Sequence, residues 1–499
     1  MLPWAPLTRA FGPVVSYNLA LLTTLILSGV GVYLLVESLT GKRLPGVVAS
    51  AVYLSAPMLT LRLGGHMNIL FGAQFLPYMG LLAHRAVSTE GRQAIWYSIG
   101  AGCAYMLSAT SSWYFVFIAF PVLVCFFAFG SSAHTKLIRL QRFCICLLTW
   151  AVLTAPLALL THSANTAMFG ETVGFSLASS DVWSVGPDRL FVPNALSTLL
   201  RGLYHRYWRV QSEADLASLG YTAILLSLVG LWKGKGMPGR RASLALTALA
   251  VTLSMGLTLH WNQQRVTLAL PEALAGPYLG ATGWLTSAIT PDPVVPMPGL
   301  LLARFVPFYA MMRAWARFMI PAMLGVAVWV GYGACALQSI KRIGPYLAVL
   351  AAALILAEGA VIPYRDWTAI EAMQRPVDRW LAQQPAGTPV VEYPWPHRNN
   401  SALYSQIVHG QPIVNGNAPH LPAHLAQAGN LTDTWPDEAA VATLRGWGVR
   451  YLLATTTEAQ ADEVLENLRG LPGLRWIETF RNTGSLASTQ VHLFEIHDE

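Results

Sequence analysis

The sequence predicts a polytopic α-helical membrane protein with a C-terminal extracytoplasmic α/β domain. Three observations carry this reading. First, the 499 residues are 54% hydrophobic and only 11% charged, with a mean hydropathy of +0.45, whereas a soluble domain averages about 25% charged residues. Second, apolar runs of membrane-crossing length recur along the first two thirds of the chain. Third, the composition changes at Tyr364: residues 365–499 carry a net charge of −6 and the preceding part +13.

A crossing helix needs about 17 to 25 apolar residues. Ten segments qualify within a membrane domain spanning 1–364: 11–39, 44–61, 68–87, 93–109, 113–130, 143–162, 217–233, 241–258, 317–339 and 344–364. A further apolar stretch, 297–312, is interrupted by Arg304 and Pro307 and reads as a re-entrant or interfacial helix.

The lysines give the orientation. All five (Lys42, Lys136, Lys233, Lys235 and Lys341) fall in alternate loops, together with Arg43, Arg85, Arg139, Arg240 and Arg342. Cytoplasmic loops are the ones enriched in Lys and Arg. The opposite loops are then extracytoplasmic: the turn LRLGGHMN, the loops 163–216 and 259–316, and everything after 364. The net charge of +7 therefore reports topology, and no nucleic-acid partner is implied.

The outer C-terminal region, 365–499, alternates helical and extended patterns. PVDRWLAQQ, EAAVATLRGWG and ADEVLENLRGL read as helices; PVVEYPW, VRYLLAT, LRWIETF and VHLFEI read as strands. Such alternation predicts a soluble α/β domain with a largely parallel sheet. No nucleotide-binding fingerprint occurs in it. His420 and His424 are spaced i, i+4, with His397 and His409 nearby, but Pro419 and Pro422 argue for a loop over a helical metal site. The turn-rich NGNAPHLP (415–422) suits the lining of a cleft. The five cysteines all lie in predicted membrane helices, as small buried hydrophobes.

Chemistry is expected where ionisable groups gather at the outer boundary. Arg313 and Arg317, in MMRAWARFMIP, are spaced to share one helical face, and Arg62 lies in the turn before His66 and Asn68. Guanidinium forks suit phosphate, so these three arginines are candidates for a lipid phosphate; interfacial anchoring is the other reading. His66, Asp181 and Glu213 are the candidate catalytic groups, as bases or, for Asp181, a metal ligand. Simpler roles stand beside them: His66 bonding a neighbouring loop, Glu213 capping the helix that follows. Glu358 is expected to pair with an outer arginine, and Glu37 with Lys42 or Arg43.

Several segments resemble a known family. The run FGPVVSYNLALLTTLILSGVGVYLLVESLTGKRLPGVVASAVYLSAPMLTLRLGGHMNILFGAQFLP is similar to the early helices of bacterial membrane proteins related to the GT-C glycosyltransferases. SSDVWSVGPDRLFVPNAL and MMRAWARFMIPAMLGVAV resemble later segments, and VDRWLAQQPAGTPVVEYPW and LRGWGVRYLLAT the outer domain. The resemblance implies a multi-pass protein of the bacterial cytoplasmic membrane, working in envelope glycan assembly. It implies transfer of a sugar from a polyprenyl-phosphate donor to an acceptor at the outer face, with inversion. Membrane lipids and the lipid-linked sugar are the implied partners; the acceptor is not specified. An acidic residue in the first outer loop acts as base or ligand of a divalent metal, and outer basic residues hold the phosphate.

Residues 1–10 contain no Asp or Glu, and the first acidic residue is Glu37. Alternation also places this start outside, without a basic leader. Both points raise the expectation that a first helix and its base-bearing loop lie upstream, and that the chain by itself transfers little. The alternative reading is a non-catalytic scaffold or lipid-handling protein. A transporter fits less well, since no internal repeat is evident.

Overall fold

The computed structural model describes residues 5–131, 134–169, 175–361, 375–395, 400–416, 431, 435–483 and 486–497. The sequence features at His397, His420, His424 and most of 415–422 lie outside these. The chain forms two compact units: Met1–Thr161 with Gly174–Arg365, and His162–Val173 with Asp366–Glu499.

The first unit is helical. At its centre, Met319–Gln338 is buried continuously from Met319 to Cys335. A helix apolar on every side belongs inside a bundle or a bilayer. Here Arg43–Leu54, Tyr221–Lys233, Arg240–Ser254 and Gly344–Gly359 pack around it. Two glycines set the closest approach. A Cβ on Gly230 would run into the carbonyl oxygen of Trp329, and one on Gly333 into that of Leu226. Peripheral helices instead turn apolar side chains outward, as Leu148, Val152, Leu159 and Leu160 do on Lys136–Phe169.

Each of the ten apolar segments contains helix, but their lengths differ from the expectation. Among the described residues, three helices are long and apolar enough to cross a membrane: Ala5–Thr40, Lys136–Ser163 and Trp315–Gln338. The pair Arg43–Leu54 and Pro57–Gly64, bent by 55°, is long and apolar enough only when its two helices are taken together, as a broken span or a re-entrant loop. Others, such as Tyr221–Lys233 with 13 residues, are too short to cross alone. With these helices the chain is a membrane protein. The bend has a local cause. A residue before proline avoids the helical region, and Ala56, before Pro57, takes φ −58°, ψ 127°. The stretch 297–312 forms only the short helix Pro298–Phe305 and a turn at Tyr309–Met311.

A small hairpin, β1 (His260–Trp261) and β2 (Gln264–Arg265), projects from this unit. The second unit holds the remaining strands, β3 (Val390–Tyr393), β4 (Tyr451–Thr457), β5 (Leu474–Arg481) and β6 (Thr489–Ile496), in the order β3-β4-β6-β5. Pro376–Ala382 precedes β3, Asn400–His409 and Glu438–Gly446 lie between β3 and β4, and Ala461–Arg469 lies between β4 and β5. The sheet is mixed, which corrects the largely parallel expectation. Only β3 and β4 run parallel; β6 is antiparallel to both β4 and β5. The connection from Arg481 to Thr489 is too short for the crossover that a parallel neighbour needs. Inside this unit Arg375 donates to both Asp378, at 2.6 Å, and Glu392, at 2.8 Å. The two carboxylates raise the pKa of the buried guanidinium against the opposing effect of burial.

Candidate functional site

The bend at Pro57 leads into a 3-10 turn, Leu61–Gly64, that buries Arg62. His66 follows with φ 60° and ψ 44°, in the left-handed region that few residues other than glycine adopt. Far along the chain, Ser212 and Asp215 cap another 3-10 turn, Glu213–Leu216, by reciprocal hydrogen bonds. Asp215 is therefore the capping acid, and Glu213 is left for another role.

That role is electrostatic. The side chains of Arg62, Glu213 and Arg317 are 2%, 6% and 12% exposed. Arg62 pairs with one oxygen of Glu213, and Arg317 Nε donates to the other at 2.9 Å. The Arg317 guanidinium also lies 4.2 Å from the Tyr114 ring centroid. Two cations share one carboxylate, so the cluster carries an excess positive charge. His66 Nδ1 stands 3.4 Å from Arg62 Nη1. A guanidinium only donates, so Nδ1 accepts and Nε2 carries the proton. Burial lowers the His66 pKa below its ordinary 6.5, and the charges of Arg62 and Arg317 lower it further. The imidazole is thus a neutral donor beside two guanidinium groups.

Arg313 has different company. The segment between Tyr309–Met311 and Trp315–Phe318 is not α-helical, so the expected shared face with Arg317 does not form. The Arg313 guanidinium sits 5.2 Å from the ring centroids of both Phe175 and Trp183, a cation–π sandwich.

Asp181 belongs to another cluster and is wholly buried. Thr258 donates to it through its backbone N–H at 3.0 Å and its hydroxyl at 2.8 Å. Arg265 donates through Nε at 2.8 Å and its terminal nitrogen lies at 2.7 Å; His260 Nε2 is 3.6 Å away. Both carboxylate oxygens are occupied, which suits a tie between Leu177–Asp181 and the β1–β2 hairpin. A third cluster centres on buried Arg189, which pairs with Asp188 at 3.0 Å and lies 4.0 Å from Asp215. Sequence reasoning counted Asp188 and Arg189 among the outer-loop charges without giving them a role, and did not name Thr258 or Arg265. The available signal was Asn262 in HWNQQR, since asparagine accepts the positive φ that a two-residue hairpin turn needs.

Glu358 does not meet an arginine. It accepts from the Thr222 backbone N–H at 3.1 Å and from the Thr222 hydroxyl at 2.5 Å, capping Tyr221–Lys233. Glu37 pairs with Arg43 at 3.5 Å. No three His, Cys, Asp or Glu side chains converge as a metal site among the described residues.

No protein-family model matches the chain, and no curated protein matches it in sequence. Solved structures do match. The mycobacterial arabinofuranosyltransferase AftD aligns over 100% of this chain with 14% identity and a TM-score of 0.56. A variant of AftD in a second class aligns over 99%, again at 14% identity and 0.56. The archaeal oligosaccharyltransferase AglB from Archaeoglobus fulgidus, solved with an inhibitory peptide and a dolichol-phosphate, aligns over 87% of this chain and 57% of its own. Its identity is 14% and its TM-score, 0.37, is too low to weigh. The chain spans about a third of AftD, 35% in the first alignment and 36% in the second. At this identity the likeness concerns the fold alone: over its length the chain shares the fold of part of AftD.

Proposed function

We propose that the chain binds a polyprenyl-phosphate-linked sugar at the outer face of the bacterial cytoplasmic membrane and takes part in transferring that sugar to an acceptor. The observation that carries this reading is the convergence of Arg62 and Arg317 on the single carboxylate of Glu213, beside His66. Two guanidinium groups and a neutral imidazole N–H form a donor set suited to a phosphate oxyanion. Charge developing on a phosphate leaving group is what such a preorganised site stabilises. The GT-C-like fold supports the reaction class. His66 acts here as a donor to the phosphate, Glu213 as the internal anion that holds the two arginines in place, and Asp181 as a structural support.

Binding of polyprenyl phosphate to the detergent-solubilised chain tests this. Arg317→Gln should weaken binding about tenfold or more, the worth of one charge-assisted hydrogen bond. Glu213→Asp, which keeps the pair but shortens its reach, should strengthen binding by loosening the competing anion. Unchanged binding in a folded Arg317→Gln protein would remove the proposed site.

A further inference from the structure

The phosphate reading leaves a second feature of the first unit unused. A cleft of about 570 Å³ opens among the turn Pro187–Leu190, the helix Arg201–Tyr207 and the tip of the β1–β2 hairpin. Its wall carries Phe191, Tyr207, Trp208 and Trp261, with Asp188 and Asn262 between them. Phe191, Tyr207 and Trp261 are 61%, 63% and 59% exposed. Large exposed apolar surface rimmed by polar groups marks an interaction site.

The frame beneath these rings is fixed. Asn262 and Gln263 adopt positive φ, 48° and 67°, as a tight two-residue hairpin turn requires. The Asn262 backbone N–H donates to Asp188 Oδ2 at 3.2 Å. Its side-chain oxygen accepts from Arg189 at 3.1 Å. That bond orients the amide, and its Nδ2 group has no hydrogen-bond partner among the described residues. Arg189 in turn lies 6.0 Å from the Trp208 ring centroid. One buried guanidinium thus holds the carboxylate, the amide and an aromatic wall in register.

We propose that this cleft binds a neutral saccharide, the acceptor or its sugar-bearing end. Aromatic faces stack against the C–H faces of sugar rings, and carboxylate and amide groups bond their hydroxyls. Ligand pockets run to about 300–1,000 Å³, so the cleft takes a short oligosaccharide. An acidic group already paired with Arg189 disfavours an anionic ligand at the same spot. A membrane-interface aromatic belt would explain the exposed rings, but it does not explain a concave wall built around a carboxylate. The assignment of the saccharide as acceptor rests on the transfer reading; the binding of a saccharide stands apart from it.

The 499-residue chain in nanodiscs is titrated with maltotriose, mannotriose and arabinotriose, reading tryptophan fluorescence. At least one should give a saturable change, and Trp261→Ala should weaken it about tenfold, as loss of a stacked ring does. Tyr207→Ala, also at an exposed position, serves if the first variant misfolds. Arg317→Gln should leave the saccharide response intact while weakening polyprenyl-phosphate binding about tenfold or more, which separates the two sites. No saturable response to any of the three sugars overturns the proposal. So does quenching of Trp261, assigned by difference from Trp261→Phe, by brominated acyl chains: that outcome makes the rings a lipid belt.

Discussion

Glu213 and Asp215 stand two residues apart on one 3-10 turn and serve two different buried arginine clusters. Glu213 joins Arg62 and Arg317. Asp215 caps its own turn and faces Arg189 at 4.0 Å. The turn therefore links the proposed phosphate site to the frame of the aromatic cleft, and a change at either acid should be felt at both.

Replacing Glu213 by Gln leaves two buried guanidinium groups without their shared anion. Removing one partner of a buried pair typically costs about 3–5 kcal/mol. The thermal unfolding midpoint should fall accordingly. Added polyprenyl phosphate should restore part of it, because a ligand that binds only the folded state raises its stability. A midpoint unmoved by the substitution would show that the cluster is not formed.

Asp181→Asn should also destabilise, by about 3 kcal/mol, because the amide keeps one acceptor oxygen for Thr258 but leaves Arg265 without its counter-charge and facing an NH2 donor. Pairing it with Arg265→Gln gives a double-mutant cycle whose coupling should reach about 1–3 kcal/mol. Additive effects would break the link between this carboxylate and the hairpin. Any loss of polyprenyl-phosphate binding in Asp181→Asn should follow the loss of folded protein.

The pH dependence follows from His66. Its folded pKa lies below the ordinary 6.5, through burial first and the charges of Arg62 and Arg317 second. The unfolded state then binds the proton more readily. The contribution of His66 to stability is complete above the unfolded pKa and is lost as pH falls through the folded one. Unfolding midpoints measured on either side of pH 6.5 should diverge, with the acid side lower, and His66→Gln should narrow the gap.

Glu358→Ala removes the acceptor for the first turn of Tyr221–Lys233. Loss of an N-terminal cap costs about 1 kcal/mol. A small fall in the unfolding midpoint is expected, with polyprenyl-phosphate binding unchanged.

Orientation is testable without purification. A reporter active only in the cytoplasm should signal when fused near Lys235 and stay silent after Glu499. The opposite pattern would invert every outer assignment made above.

The helical elements were legible because hydrophobic runs and periodicity are local signals. Met319–Gln338 and Ala461–Arg469 needed nothing beyond their own residues. Site geometry was harder to read. Arg62, Glu213 and Arg317 each stood out as charges at the ends of apolar segments, but their meeting depends on long-range packing that no spacing encodes. The pairing of Arg313 with Arg317 failed for a related reason. An i, i+4 spacing implies a common face only inside a helix, and the chain is irregular between Met311 and Trp315. The mixed sheet was decided by a connection length, Arg481 to Thr489, which the strand patterns themselves do not weigh.

The glycine contacts of Met319–Gln338 bear on how the site works. Gly230 and Gly333 admit a neighbouring backbone at points where any side chain would collide. Sliding by one helical turn, about 5.4 Å, would drive larger residues into those gaps. The two helices are keyed together, and the segment that begins at Trp315 and carries Arg317 is held at a fixed height. Of the three side chains in the Glu213 cluster, Arg317 is therefore the one whose position the helix packing fixes most directly.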